Sequence, residues 1–152
     1  MSFVIDVDKI KKEPGAYAGS WGTQCVALVQ LAQPTADSLN PPATSLWRRG
    51  IKVQTAAPNA IKKGTVIATF TLVGLYPSGS EGQRHAAVYL SHDPNGITVI
   101  DQWATKTTPS ERVLTFGGPE KPRSVNHGDH YYVVELTLAD TESVTTNVNQ
   151  PT

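Results

Sequence analysis

Residues 85–103 have the sequence HAAVYLSHDPNGITVIDQW. Two runs rich in β-branched and aromatic residues, 86–90 and 97–103, flank the turn-forming sequence DPNG at residues 93–96. Strand-forming runs on either side of such a turn are typical of an antiparallel β-hairpin. The hairpin therefore predicts a β-sheet, and the segments before and after it are assigned to elements that pack on this sheet or extend it.

A helix is predicted ahead of this hairpin, at residues 23–33 (TQCVALVQLAQ). Cys25, Leu28, Val29 and Ala32 follow the spacing i, i+3, i+4 and i+7, which places them on one helical face. Thr23 is the predicted N-cap, and residue 34, a proline, ends the helix.

Further strands are predicted after the helix, at residues 65–72 and 131–136. In the first of them apolar residues alternate with threonines, which predicts a half-buried strand. Residues 36–59 are rich in proline and show little periodicity, so we expect a loop with a short helical turn at residues 46–49. The polar tail from about residue 140 is expected to fray. One helix followed by mostly antiparallel strands predicts an α+β fold, with the helix packed on a curved sheet.

The length and the net charge of the chain exclude some classes of function. The 152 residues fit one domain, spanning 1–152, and 13 basic residues balance 13 acidic ones. A net charge of zero argues against a nucleic-acid partner, and no apolar run is long enough for membrane insertion. The N-terminus lacks the pattern of a secretory signal, so we expect synthesis in the cytoplasm without a signal peptide. The chain has a single cysteine, so it has no intramolecular disulfide.

The chemistry-bearing residues are Cys25, His85 and an acid or amide on the next strand. A cysteine at a helix start has a lowered pKa, and a nearby imidazole lowers it further. His85 begins a strand, where it can act as general base. A five-residue hairpin loop brings Asp101 onto the face of His85, whereas a four-residue loop brings Gln102 there. We favour Asp101, because it shares its face with apolar residues, where a carboxylate needs a cationic partner.

The order Cys, His, polar residue resembles that of papain-like hydrolases, and more closely that of the CHAP and NlpC cell-wall amidases. Within that superfamily the chain is similar to small type VI secretion amidase effectors. The resemblance covers most of the chain and is carried by residues 22–30 (GTQCVALVQ), 47–50 (WRRG), 63–70 (KGTVIATF) and 85–103. It implies a papain-like fold in which Cys25 is the nucleophile, His85 the base and Asp101 the third member. Gln102 is the alternative third member.

The resemblance also implies hydrolysis of an amide bond in peptidoglycan peptide stems, without a metal or cofactor. It implies secretion or injection into the periplasm of a target bacterium, and a cognate immunity protein as a partner. The chain has Gln24 before the cysteine, where NlpC-type enzymes have Asp or Asn, and Gln24 is a further candidate for a third-member, oxyanion or cleft residue. Tyr17 is a candidate oxyanion donor, because those enzymes often carry a tyrosine upstream of the nucleophile, and Trp103 is a candidate cleft wall.

Other interpretations of the sequence remain open. His127, Asp129 and His130 have side chains suited to zinc, although neither a further ligand nor a general-base motif such as His-Glu-x-x-His accompanies this cluster. Trp47 and the two arginines that follow it are a candidate substrate patch. The same three catalytic residue types also serve acyltransferases and other cysteine peptidases, and a papain-like scaffold can bind cell wall without turnover.

Overall fold

A six-stranded antiparallel sheet organises the protein in a computed structural model that describes residues 1–15, 17–78, 84–118 and 125–136. Among the residues described, the strand order is β1-β6-β2-β3-β4-β5, with two α-helices and two 3-10 turns. In chain order the elements are α1 (Val7–Lys12), α2 (Cys25–Leu31), a 3-10 turn (Thr44–Leu46), β1 (Arg48–Lys52), β2 (Val66–Thr69), β3 (Ala86–Asp93), β4 (Gly96–Trp103), β5 (Lys106–Thr115), a 3-10 turn (Gly128–His130) and β6 (Tyr131–Glu135).

The predicted hairpin is present as β3 and β4, but its turn is tighter than expected. Asp93 pairs with Gly96, so two residues form the loop instead of four or five. A bulge at Leu90 then shifts the register by one residue, and beyond it Val88 pairs with Ile100. The bulge therefore restores, at the far end of the hairpin, the pairing expected for a five-residue loop.

The helix α2 lies where the sequence predicts it, with a shorter span. Leu28, Val29 and Ala32 are fully buried, and burial of each larger side chain stabilises the fold by roughly 1.5–3 kcal/mol. The N-cap is Gln24 and not Thr23, and Gln24 makes no capping hydrogen bond with its side chain; the Thr23 hydroxyl donates to the Ala104 carbonyl at 3.4 Å. The helix begins directly at the cysteine.

Two sequence-based expectations about secondary structure are wrong, and two elements were not expected. Strand β2 ends at Thr69 and is buried on both faces, because β3 and β6 flank it and side chains cover both sides of the sheet. Arg48 and Arg49 lie in β1, and the short turn precedes them at Thr44–Leu46. Strand β5 and helix α1 were not predicted. The tail from residue 140 lies outside the described residues.

The sheet separates two hydrophobic cores. The helix-side core contains α1, α2 and one sheet face, and the loop-side core lies on the other face beneath residues 53–61. Val88 and Ile100 belong to the helix-side core, whereas Tyr89 and Val99 belong to the loop-side core. Side chains on a strand alternate between faces, so neighbouring residues at the end of the hairpin serve different cores. Within the described ranges, no helix combines the length and the apolar character that a membrane crossing requires.

Candidate active site

Cys25 is the first residue of α2 and is a half-buried free thiol. Burial alone raises the pKa of this thiol, but a hydrogen bond and the charge of His85 oppose it, together with hydrogen bonds from the Ala86 backbone and from Tyr76. The net effect lowers the pKa of Cys25 below its usual value of 9.0. The site therefore favours a thiolate.

His85 lies just before β3, where β2 holds its backbone. Its N–H donates to the Thr69 hydroxyl and its carbonyl accepts from the Thr69 N–H, both at 3.0 Å. The imidazole is 4% exposed, and its Nε2 lies 2.8 Å from Oδ2 of Asp101. Since Nε2 is engaged there, Nδ1 is the nitrogen left for Cys25. Burial lowers the pKa of His85, but the hydrogen bonds to Asp101 and Cys25 raise it above 6.5 overall.

Asp101, on β4, is fully buried and lies among three basic side chains. Besides His85, it accepts from Lys106 Nζ at 2.8 Å and from Arg112 Nε at 2.7 Å, both on β5. Burial raises the pKa of this carboxyl, but the hydrogen bonds from His85, Lys106 and Arg112 bring it down to about 2. The carboxylate therefore stays ionised and holds the imidazole in one orientation.

Gln102 is also fully buried, yet it holds a different part of the site. Its Nε2 donates to the carbonyls of Tyr17 at 2.7 Å and Gln24 at 3.0 Å. These bonds tie β4 to the segment that leads into Cys25. The structure thus brings Asp101 to His85, whereas Gln102 positions the backbone before the cysteine.

Trp103 forms part of the cleft wall, with its ring centroid 6.3 Å from that of His85. Lys106 Nζ and the guanidinium carbon of Arg112 lie 4.7 and 5.0 Å from the centre of the indole. Cations over an aromatic face are attracted by its quadrupole, so this ring helps to hold both basic groups beside Asp101.

Tyr17 and Trp47 do not lie as the sequence suggested. The Tyr17 hydroxyl donates to the Glu13 carbonyl at 3.2 Å, and the hydroxyl beside the sulfur belongs instead to Tyr76, with Oη 3.8 Å from Sγ of Cys25. Trp47 is fully buried in the helix-side core, so it cannot form a surface patch with the arginines.

A cleft passes Cys25 on both sides. One hollow of 450 Å³ is lined by His85, Trp103 and Arg112, and another of 630 Å³ by Trp21 and Tyr76. Gln24, Cys25 and Arg84 line both hollows. The thiol therefore lies at the middle of an open groove, which suits an extended substrate.

The zinc interpretation has no support in the structure. In the described segments, no group of three or more His, Cys, Asp or Glu side chains is arranged to hold a metal ion. Asp129 instead accepts from the backbone N–H groups of Gly117 at 3.1 Å and Gly118 at 3.2 Å. Its carboxylate stabilises a loop beside β5.

Sequence reasoning missed Lys106, Arg112, Tyr76 and Arg84. The two basic residues on β5 are six positions apart, so they share one face of a strand, but Pro109 between them argues against a strand. Edge strands tolerate proline, and β5 is the edge of this sheet. A strand that includes Pro109 could have been proposed from the sequence as an edge strand, and this would have placed Lys106 and Arg112 on one strand.

The sequence profile of domesticated amidase effector 2 matches residues 1–134. The chain belongs to the domesticated amidase effector 2 family. A domesticated amidase effector 2 from Ixodes scapularis is 34% identical over 129 residues, which is 82% of each chain. A type VI secretion amidase effector 2 protein from Salmonella typhi is 34% identical over 122 residues, covering 74% of this chain and 84% of the relative.

A solved structure of a type 6 secretion amidase effector 2 is also similar, with a TM-score of 0.69 and 30% identity over 87% of this chain and 94% of that chain. Membership of this family confirms the predicted class, an amidase effector, and the α+β papain-like fold.

Proposed function

We propose that the protein is a cysteine amidase that hydrolyses an amide bond in the peptide stems of bacterial peptidoglycan. The proposal rests on family membership and on one observation, that the His85 imidazole is hydrogen-bonded to the buried Asp101 carboxylate and lines the same hollow as the Cys25 thiol. Nucleophile, base and orienting group are thus assembled at one cleft, which is the arrangement that acyl transfer requires.

In this mechanism the thiolate of Cys25 attacks the carbonyl carbon of the scissile amide, forming a C–S bond. The tetrahedral intermediate collapses as the C–N bond breaks, and His85 gives a proton to the leaving amine. A water molecule then attacks the thioester while His85 accepts its proton; the C–S bond breaks, the carboxylic acid leaves, and Cys25 returns to the thiolate beside the imidazolium. Asp101 stabilises the imidazolium whenever His85 is protonated and does not change its own protonation. No metal or cofactor takes part in any step.

The route to the substrate is a further part of the proposal. The relatives named type VI secretion amidase effectors support delivery by that system into the periplasm of a target bacterium. The open groove around Cys25 is the surface that a cognate immunity protein would cover. We also propose that residues 1–152 form a single amidase domain.

Digestion of purified sacculi tests the function. Wild-type protein, Cys25→Ala and His85→Ala are incubated with sacculi, and released muropeptides are separated and weighed by mass spectrometry. His127→Ala is the matched control, because this histidine lies outside the cleft. We expect new fragments from wild type and His127→Ala, and none from the other two. Folded wild-type protein that releases no fragments would exclude the peptidoglycan substrate and favour an acyltransferase or a wall-binding module.

A further inference from the structure

A phenol lies next to the proposed nucleophile, and the mechanism above does not use it. Tyr76 follows the turn formed by residues 71–75, between β2 and β3, and lines the larger hollow. Its Oη is 3.8 Å from Sγ of Cys25. The two residues are 51 positions apart in the chain, so only the fold brings them together.

The Tyr76 ring is held by buried neighbours. It packs edge to face on Trp47, with centroids 4.9 Å apart and planes at 66°. Trp47 is itself fully buried, and its Nε1 donates to the Pro42 carbonyl at 2.9 Å. The preceding turn is closed by the Thr71 N–H, which donates to the Leu75 carbonyl at 2.8 Å. A hydroxyl on such a platform is preorganised, which is the property that transition-state stabilisation needs.

The hydroxyl keeps its proton at neutral pH. Burial raises the pKa of Tyr76 well above 10, and the nearby Cys25 raises it further. The Arg84 guanidinium acts in the opposite direction, and it adds positive charge to the same hollow. Tyr76 is therefore a hydrogen-bond donor beside the place where negative charge develops.

We propose that the Tyr76 hydroxyl donates a hydrogen bond to the oxyanion of the tetrahedral intermediate formed on Cys25. This catalytic role rests on the proposed function. The oxyanion sits on the carbon bonded to Sγ, so it lies close to the sulfur and within reach of a hydroxyl 3.8 Å away. Effective donors lie about 2.7–3.1 Å from the oxyanion. The hydroxyl of Tyr17 is engaged by the Glu13 carbonyl, so Tyr76 is the phenol placed for this role.

The test compares Tyr76→Phe with wild type, since phenylalanine keeps the packing on Trp47 and removes only the hydroxyl. Tyr132→Phe, on β6 and packed on Phe70 at 6.2 Å, is the matched control. We expect kcat for muropeptide cleavage to fall by about 10²–10³-fold in Tyr76→Phe, with little change in KM. Alkylation of Cys25 by iodoacetamide is compared at a pH where the thiol is fully ionised in both proteins, so that loss of the Tyr76 hydrogen bond, a bond that lowers the pKa of Cys25, does not change the thiolate fraction. Its rate should then change by less than about twofold, because alkylation forms no oxyanion. The single cysteine makes this readout specific.

A second measurement does not depend on sacculi. N-acetyl-alaninal adds reversibly to a thiol, forming a hemithioacetal whose oxygen occupies the oxyanion position, and it protects Cys25 from alkylation. We expect Tyr76→Phe to need at least about tenfold more aldehyde for equal protection. Equal protection in both proteins would overturn the proposal, as would an alkylation rate that falls as far as turnover. Normal aldehyde protection in wild type without muropeptide release would refute the substrate and leave the role of Tyr76 measurable.

Discussion

Replacing Asp101 by asparagine removes one negative charge from the centre of the site and keeps the shape of the side chain. The carboxylate is fully buried and accepts hydrogen bonds from His85, Lys106 and Arg112. In Asp101→Asn the two β5 cations lose their buried counter-charge, and the imidazole loses the acceptor that orients it. We expect kcat to fall by about 10²-fold or more, and the protein to be less stable at neutral pH.

The pKa of Asp101 gives the size of its contribution to the free energy of unfolding. The pKa of Asp101 is about 2 in the folded protein, against a usual value of 3.8. Each pKa unit corresponds to about 1.4 kcal/mol, so ionised Asp101 contributes roughly 2–3 kcal/mol to the free energy of unfolding. Because the folded pKa is lowered, this contribution is complete above about pH 4–5 and is lost as the pH falls towards 2. Asparagine does not titrate, so the variant lacks this part of the acid-induced loss.

Urea unfolding at several pH values between 2.5 and 7 measures this difference. Wild type should lose roughly 1.5–2 kcal/mol more than Asp101→Asn between pH 5 and pH 2.5, and the rest of the 2–3 kcal/mol below that range. Asp8→Asn, an exposed position on α1, is the matched control and should follow wild type. Parallel curves for wild type and Asp101→Asn would refute the argument that the buried charge cluster sets the pKa of this group.

Two further predictions concern the nucleophile and the backbone. The rate of Cys25 alkylation by iodoacetamide should rise with pH, with a midpoint below pH 9 in wild type. The midpoint should be higher in His85→Ala, because the imidazole no longer opposes the effect of burial on the pKa of the thiol. Equal midpoints in the two proteins would contradict this. Gly64→Ala should lower the free energy of unfolding by about 1–3 kcal/mol or more, because Gly64 has φ +98° and an added Cβ would lie 2.3 Å from the Ile5 carbonyl oxygen. Gly15→Ala meets nothing within 4 Å and should unfold at nearly the wild-type urea concentration.

The sequence predicted the elements whose pattern is local. The hairpin depends on two apolar runs around a turn, and the buried face of α2 depends on the spacing of Leu28 and Val29, so both could be predicted without tertiary information. The bulge at Leu90 has no such pattern. This bulge adds one residue to β3. The pairing expected near Asp101 was therefore correct, although the five-residue loop from which it was predicted has only two residues. Register depends on the whole ladder as well as on the turn.

Site residues could be predicted where residue type and order along the chain indicate a catalytic role. They could not be predicted where segments far apart in the sequence come together only in the fold. Cys25 and His85 could be proposed from residue type and position, and in the structure both line the same hollow. Tyr76 reaches the sulfur through a turn with no distinctive sequence. The β5 cations were hidden by Pro109, which is tolerated because β5 is an edge strand. Contacts of this kind follow from packing across the sheet and leave little trace in periodicity.

The separation of the two cores has a consequence for how the site fails. Cys25 packs against the helix-side core, whereas Asp101 lies on the strand face of Ile97 and Val99, which belong to the loop-side core. Nucleophile and orienting group are thus packed against different sets of side chains, and they are linked through His85 and through the bonds from Gln102 to the segment before the cysteine. Damage to packing beneath residues 53–61 would loosen one half of this assembly while the helix stayed in place. Activity can therefore be lost through a small displacement of Asp101 relative to Cys25, with every catalytic side chain still present.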